Sequence, residues 1–230
     1  MSQPFIQAIG DTLTIIAGVM ISPIRMAGLI VVLTSKGGRY KAIAFGAGFF
    51  IALWLLTFVV AWIERQVVAV LGGTEGTSKW HTIICSGLGA FLLVLGVLSF
   101  IKWLQEHAKA KEPKWMKKID SASMFNVLGI GIVLLLVNPK NLTLVLSAAN
   151  DYAHADLSAV QLAVVVTAFA ILGSLLVFAT IVLELAAPKT SAKVLHEMRP
   201  WLITHNNLIL AVILFLMGFH MLGKALSTVT

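Results

Sequence analysis

The sequence predicts an all-α integral membrane protein built from two inverted three-helix repeats, the first helix of each broken at a proline. Three observations carry that prediction. Of 230 residues, 59% are hydrophobic and only 12% charged, against about 45–50% and about 25% in soluble domains. Six apolar stretches reach membrane-spanning length. Two of them contain a cation beside a proline: Ser22-Pro23-Ile24-Arg25 and Asn138-Pro139-Lys140-Asn141.

The six expected spans are Ile9–Leu33, Ala42–Ile63, Trp80–Ile101, Met124–Ala149, Ala159–Ala187 and Leu208–Leu226. The first has no Lys or Arg before Arg25. It therefore lacks the basic flank of a signal peptide and is expected to be retained. Pro23 removes a backbone donor and should open this helix at Ser22. The second span carries Ala44 and Gly48, small residues suited to close helix packing. The third holds the single cysteine, Cys85, from which no intrachain disulfide can form. Pro139 should break the fourth span as Pro23 breaks the first. The fifth repeats the small-residue pattern with Ala170, Gly173 and Ser174, and the sixth contains His220.

Topology follows from charge. The connections Ser35–Lys41, Lys102–Asp120 and Pro188–Asn206 hold 3, 6 and 3 Lys/Arg, whereas the N-terminus, Glu64–Lys79, Ser147–Ser158 and the C-terminal end hold 0, 2, 0 and 1. Basic connections remain cytoplasmic, so both termini are expected outside the cytoplasmic membrane. Trp62 and Trp80 then mark the outer interface, and Trp103, Trp115 and Trp201 the inner one. The net charge of +7 is thus a record of topology, and no nucleic-acid partner is expected. The stretch His107–Ile119 is polybasic with interleaved Trp115, Met116 and Ile119. It is a topology-setting loop or a short interfacial helix against anionic headgroups.

The halves match at ordered landmarks. Pro23 aligns with Pro139. Leu55-Leu56-x-Phe58 followed by Glu64 aligns with Leu175-Leu176-x-Phe178 followed by Glu184. Gly96, Lys102 and Leu104 align with Gly218, Lys224 and Leu226. Three spans per half is an odd number, so the second half enters from the opposite side. The chain is one membrane domain: repeat one over about 1–104, a basic linker over about 105–120 and repeat two over about 121–230. Such repeats place substrate near the midplane, at discontinuous helices.

Arg25 and Lys140 are the leading candidate site residues. A cation near the bilayer centre costs about 2.5–3.5 kcal/mol on insertion scales and is functional by default. The competing reading is structural, a pair locked to a carboxylate. Ser22, Asn138 and Asn141 add polar groups where Pro23 and Pro139 expose the backbone, which suits a phosphate, sulfate or carboxylate. Glu64 and Glu184 are interfacial carboxylates or gates, Glu184 towards Arg25 and Glu64 towards Lys140. No carboxylate is expected near the middle of a span, so His220 is the remaining group able to couple protons near neutral pH. It has no ligating neighbour one turn away, and neither a metal nor another cofactor is expected.

The proline-centred motif of the first span, the inverted halves and Val137-Asn138-Pro139-Lys140-Asn141-Leu142 together resemble the LysE superfamily. Within it the chain is most similar to the actinobacterial Sap or GAP family, the sulfolipid-1-addressing and glycopeptidolipid-addressing proteins. The resemblance spans essentially the whole chain. It implies a transporter, not an enzyme, that moves a cell-envelope lipid or glycolipid with an anionic headgroup across or out of the cytoplasmic membrane. Membrane lipids are the implied partners, and a homodimer is compatible with it. Export of a small anionic or zwitterionic solute such as an amino acid, as elsewhere in the superfamily, is the alternative. That would require an acidic partner for the amino group, for which only Glu64 and Glu184 are at hand.

Overall fold

The computed structural model describes residues 3–71, 74–106, 119, 121–155 and 157–227. All regular structure among them is helical. The elements are α1 (Gln3–Met20), α2 (Pro23–Thr34), α3 (Gly38–Leu71), α4 (Thr74–Glu106), α5 (Met124–Leu136), α6 (Pro139–His154), α7 (Ala159–Ala186) and α8 (Pro188–Ser227). Four stretches are long and apolar enough to cross a membrane: Gly38–Val67, Cys85–Gln105, Ala159–Ala186 and Pro200–Gly223. Two bent pairs, α1 with α2 at 46° and α5 with α6 at 71°, raise the count to six if each is one span. This is a multi-pass membrane protein. The same order of elements, a bent pair followed by two long helices, occurs twice.

The breaks arise as the prolines require. Pro23 is the first residue of α2 and Pro139 the first of α6, positions where a missing N–H costs a helix nothing. Ser22 and Asn138 are the respective N-caps, and the Asn138 carboxamide accepts from the Lys140 backbone N–H at 3.1 Å. Pro23 cannot continue α1, and Pro139 cannot continue α5.

The bundle is interleaved. Bent pair α5–α6 packs on α3, bent pair α1–α2 packs on α7 and α8, and α4 packs most extensively on α8. Glycines permit the closest approaches. A Cβ on Gly48 of α3 would lie 2.2 Å from the Leu128 carbonyl oxygen, and one on Gly131 of α5 would lie 2.3 Å from that of Phe45. No side chain fits there. At the α4–α8 crossing, Gly89 and Gly218 face each other, each Cβ position 3.1 Å from the other's carbonyl oxygen. Ile15, Val19, Phe49, Leu53, Leu144, Ala148 and Phe169 form the centre of the core. Outward faces remain apolar, with Leu55, Val94, Leu98, Val164 and Leu216 exposed. That pattern belongs to a bundle solvated by lipid.

Two expected boundaries are corrected. The fourth span does not end at Ala149. Helix α6 continues to His154 and buries Asn150, Asp151 and Tyr152, and Tyr152 reaches Thr12 of α1 and Phe169 of α7. The Pro188–Asn206 connection, expected between spans, is the first part of the 40-residue α8. At 1.5 Å per residue α8 is about 60 Å long, twice the hydrocarbon thickness. Its basic N-terminal portion therefore extends beyond the span. Pro200 lies inside this helix. Residues 107–118 of the polybasic stretch, including Trp115, lie outside the described residues. Ile119 is buried, and its carbonyl accepts from Lys41 at 3.2 Å.

Candidate functional site: two cations at a helix break

The break between α1 and α2 leaves four backbone carbonyls without helical donors. The last bond of α1 runs from the Ile21 N–H to Ala17, and the first of α2 from the Met26 N–H to Ser22. Between them the carbonyls of Gly18, Val19, Met20 and Ile21 have no i+4 donor. Pro23 is the direct cause at Val19, since it has no N–H to offer. Four bare carbonyls in a buried layer would each cost several kcal/mol.

Arg25 and Lys140 satisfy all four. The Lys140 ammonium donates to Gly18 and to Ile21, each at 2.8 Å. The Arg25 guanidinium donates through Nη2 to Val19 at 3.0 Å and, in a short contact, to Met20. Both side chains are buried, at 1% exposure. They sit where the helix dipole places partial negative charge. The two positive charges are also close enough to repel each other. Lys140 comes from the opposite half of the chain, so this contact ties α6 to the end of α1.

The cations therefore do not behave as the sequence suggested for a carboxylate pair. Among the described residues neither makes an ion pair with Glu64 or Glu184. Those two residues lie late in α3 and α7, both partly exposed. Backbone dipoles take the place of a carboxylate.

Arg25 is only half used. Its Nε and Nη1 are buried without a hydrogen-bond partner, while its Cζ lies 4.0 Å from the centroid of the Phe49 ring. That is cation–π distance, and Phe49 has no signal in the sequence that separates it from other core aromatics. Near the site, Ser22 and Asn141 are buried, Asn138 is partly exposed and Pro139 exposed. The Asn141 Oδ1 is buried without a partner. The break thus holds unused donors on Arg25, and Asn141, next in sequence to Lys140, carries an unused acceptor.

The second break is open where the first is closed. Beside Pro139, Leu136 is 42% and Val137 73% exposed, whereas Val19 is 0% and Ser22 3% exposed. His220 lies on α8, partly exposed, away from any group of metal-ligating residues among those described.

The family model described as Sap, sulfolipid-1-addressing protein, matches residues 13–227. The chain belongs to this family. The match contains both helix breaks, Arg25, Lys140 and all four capped carbonyls. No curated protein and no solved structure matches this Sap-family chain.

Proposed function

We propose that this Sap-family protein exports a cell-envelope lipid or glycolipid with an anionic headgroup, and that Arg25 and Lys140 hold the headgroup. The observation that carries the reading is that Nε and Nη1 of Arg25 are buried beside the helix break without a hydrogen-bond partner. These two donors point to opposite sides of the planar guanidinium, so each offers one charge-assisted bond to an oxyanion, and a two-bond fork forms only when Nη2 leaves Val19 and Met20. Ser22 and Asn141 lie close in sequence to Pro23 and Lys140. An arriving headgroup exchanges carbonyl partners for its own oxygens. The acyl chains remain in lipid against the apolar outer faces. Transport of this kind involves no covalent step.

The architecture we infer is six spans in two inverted repeats with both termini outside. The two bent pairs at matched prolines support it, as does the near-equal exposure of the aligned Leu55 and Leu175, 49% and 48%. The partners are membrane lipids.

Export of an amino acid is less well supported. Its amino group needs a carboxylate within one small solute's reach of the cations. The carboxylate buried on the same half-helix as Lys140 is Asp151, eleven residues on, or about 16 Å along the helix. That distance exceeds a zwitterion's charge separation.

The test is movement of headgroup-labelled phosphatidylglycerol between leaflets of proteoliposomes, with labelled phosphatidylcholine as control. Selective movement of the anionic lipid, lost in Arg25→Gln, supports the proposal. Equal movement of both lipids overturns it.

A further inference from the structure

The sequence places Asp151 in the Ser147–Ser158 connection, and α6 instead buries it near its end. Asp151 is 8% exposed and sits one turn before the end of α6. Around it lies a second polar layer. Asn150 is 1% exposed, and both its Oδ1 and Nδ2 lack a hydrogen-bond partner. Tyr152, 1% exposed, donates its hydroxyl to Thr12 of α1 at 3.1 Å and sets its ring edge-on to Phe169 of α7. Its hydroxyl also feels the Asp151 charge. One turn earlier, Ser147 contacts the Met221 sulfur of α8 at 2.8 Å.

Helix α6 is therefore charged at both ends. Lys140, in its first turn, is bound to the end of α1. Asp151, in its last turn, lies in a layer that the same α1 lines through Thr12. One 16-residue helix joins the two, so a shift of α6 that frees Lys140 from Gly18 and Ile21 also moves Asp151 and Tyr152. By the distribution of Lys and Arg, the Asp151 end is the outer one.

We propose that Asp151 is the proton-carrying residue of this protein. Its carboxylate takes up one proton from the outer side and becomes neutral. The neutral form lets α6 move, and the proton is released inward in the other conformation. No bond other than O–H forms or breaks. The inference rests on the export reading, since it supplies that reading's energy source.

Several ionisable groups share this end. Tyr152 and His154 lie on α6 and Glu64 and Arg65 on α3. Arg65 donates to the Leu157 carbonyl at 2.7 Å. Helix α1 brings Asp11, α4 brings Glu75, Lys79 and His81, and α8 brings His220 and Lys224; α5 and α7 bring no charged residue there. The side chains of Asp11, Glu75, Lys79, His81 and Lys224, and Asp156 between α6 and α7, lie outside the described residues.

An infrared pH titration of the reconstituted full-length protein tests the site without any substrate. The carbonyl-stretch band of a protonated, buried carboxyl should grow as pH falls. It should be missing in Asp151→Asn and present, shifted, in Asp151→Glu, which also shows whether the fold tolerates change there. An unchanged band in Asp151→Asn, or its loss in Asp11→Asn instead, overturns the assignment. In vesicles of phosphatidylcholine with labelled phosphatidylglycerol, an imposed proton gradient should accelerate lipid movement in the wild type and not in Asp151→Asn. Acceleration by a sodium gradient alone also overturns it. A normal infrared result with no lipid movement by the wild type would leave the proton site standing and refute the export reading.

Discussion

Replacing Lys140 with Met separates a carbonyl clamp from a buried ion pair. Met keeps the length and apolar stem of the side chain and removes the ammonium. Two charge-assisted hydrogen bonds are lost, at Gly18 and Ile21, each 2.8 Å long. Such bonds contribute about 1.5–3 kcal/mol each, or about 3–6 together. Against this, removing the buried cation recovers about 2.5–3.5 kcal/mol. Relief of repulsion with Arg25 lowers the cost further. The variant also leaves the Gly18 and Ile21 carbonyls bare, about 1–3 kcal/mol each, so the expected net destabilisation is several kcal/mol. A locked carboxylate pair predicts a similar loss, about 3–5 kcal/mol, because its loss strands an unpaired charge, and the two cases part on coupling to the carboxylate. Reversible unfolding in detergent, followed by tryptophan fluorescence, measures the difference. The comparison with Glu64→Gln is decisive. If the clamp is right, Lys140→Met and Glu64→Gln add to within about 0.5 kcal/mol, as uncoupled sites do. A loss of 3–5 kcal/mol, in the sense of the ion-pair estimate, that Glu64→Gln rescues would refute the reasoning.

Arg25→Met should cost more than Lys140→Met, because it also forfeits the contact with Phe49, about 0.5–2 kcal/mol; the same unfolding assay compares them. The Arg25→Met/Lys140→Met double variant should lose more than the sum of the singles, since each single variant alone relieves the shared repulsion. Gly131→Val should fail to accumulate as folded protein, because a Cβ there meets the Phe45 carbonyl oxygen at 2.3 Å; size-exclusion chromatography reads the outcome. Cysteines introduced at Ser2 and Lys111 should label from outside and inside respectively, and outside labelling of position 111 rejects the topology.

The sequence carried the broken helices well, because proline acts locally. Pro23 and Pro139 each dictate a break from one missing N–H, and α2 and α6 begin at those residues. The cations were also visible as an anomaly of cost, since little else in the chain places charge inside a span. Their partners were not visible. The pairing of Lys140 with Gly18 and Ile21 depends on α6 packing beside the end of α1, which no local pattern encodes. Glu64 and Glu184 are the carboxylates the sequence offers as partners, whereas Pro23 alone orphans only the Val19 carbonyl, and the other three follow from the length of the break. Asn150 and Asp151 were missed for a different reason. A hydropathy window ends a span at the first polar run, so Asn150-Asp151-Tyr152 read as a connection. Helical spacing was the signal that extends α6: Leu144, Ala148 and Tyr152 fall on one face and all are buried.

The most direct test of the central claim is lipid movement measured on Arg25→Gln and Lys140→Gln proteins whose folding has first been verified by the unfolding assay. Proteoliposomes carry headgroup-labelled phosphatidylglycerol or phosphatidylcholine in separate samples. The account predicts selective movement of the anionic lipid by the wild type and its loss in both folded variants. Undiminished selective movement by a folded Arg25→Gln/Lys140→Gln protein would show that the two buried cations cap α1 and do nothing more.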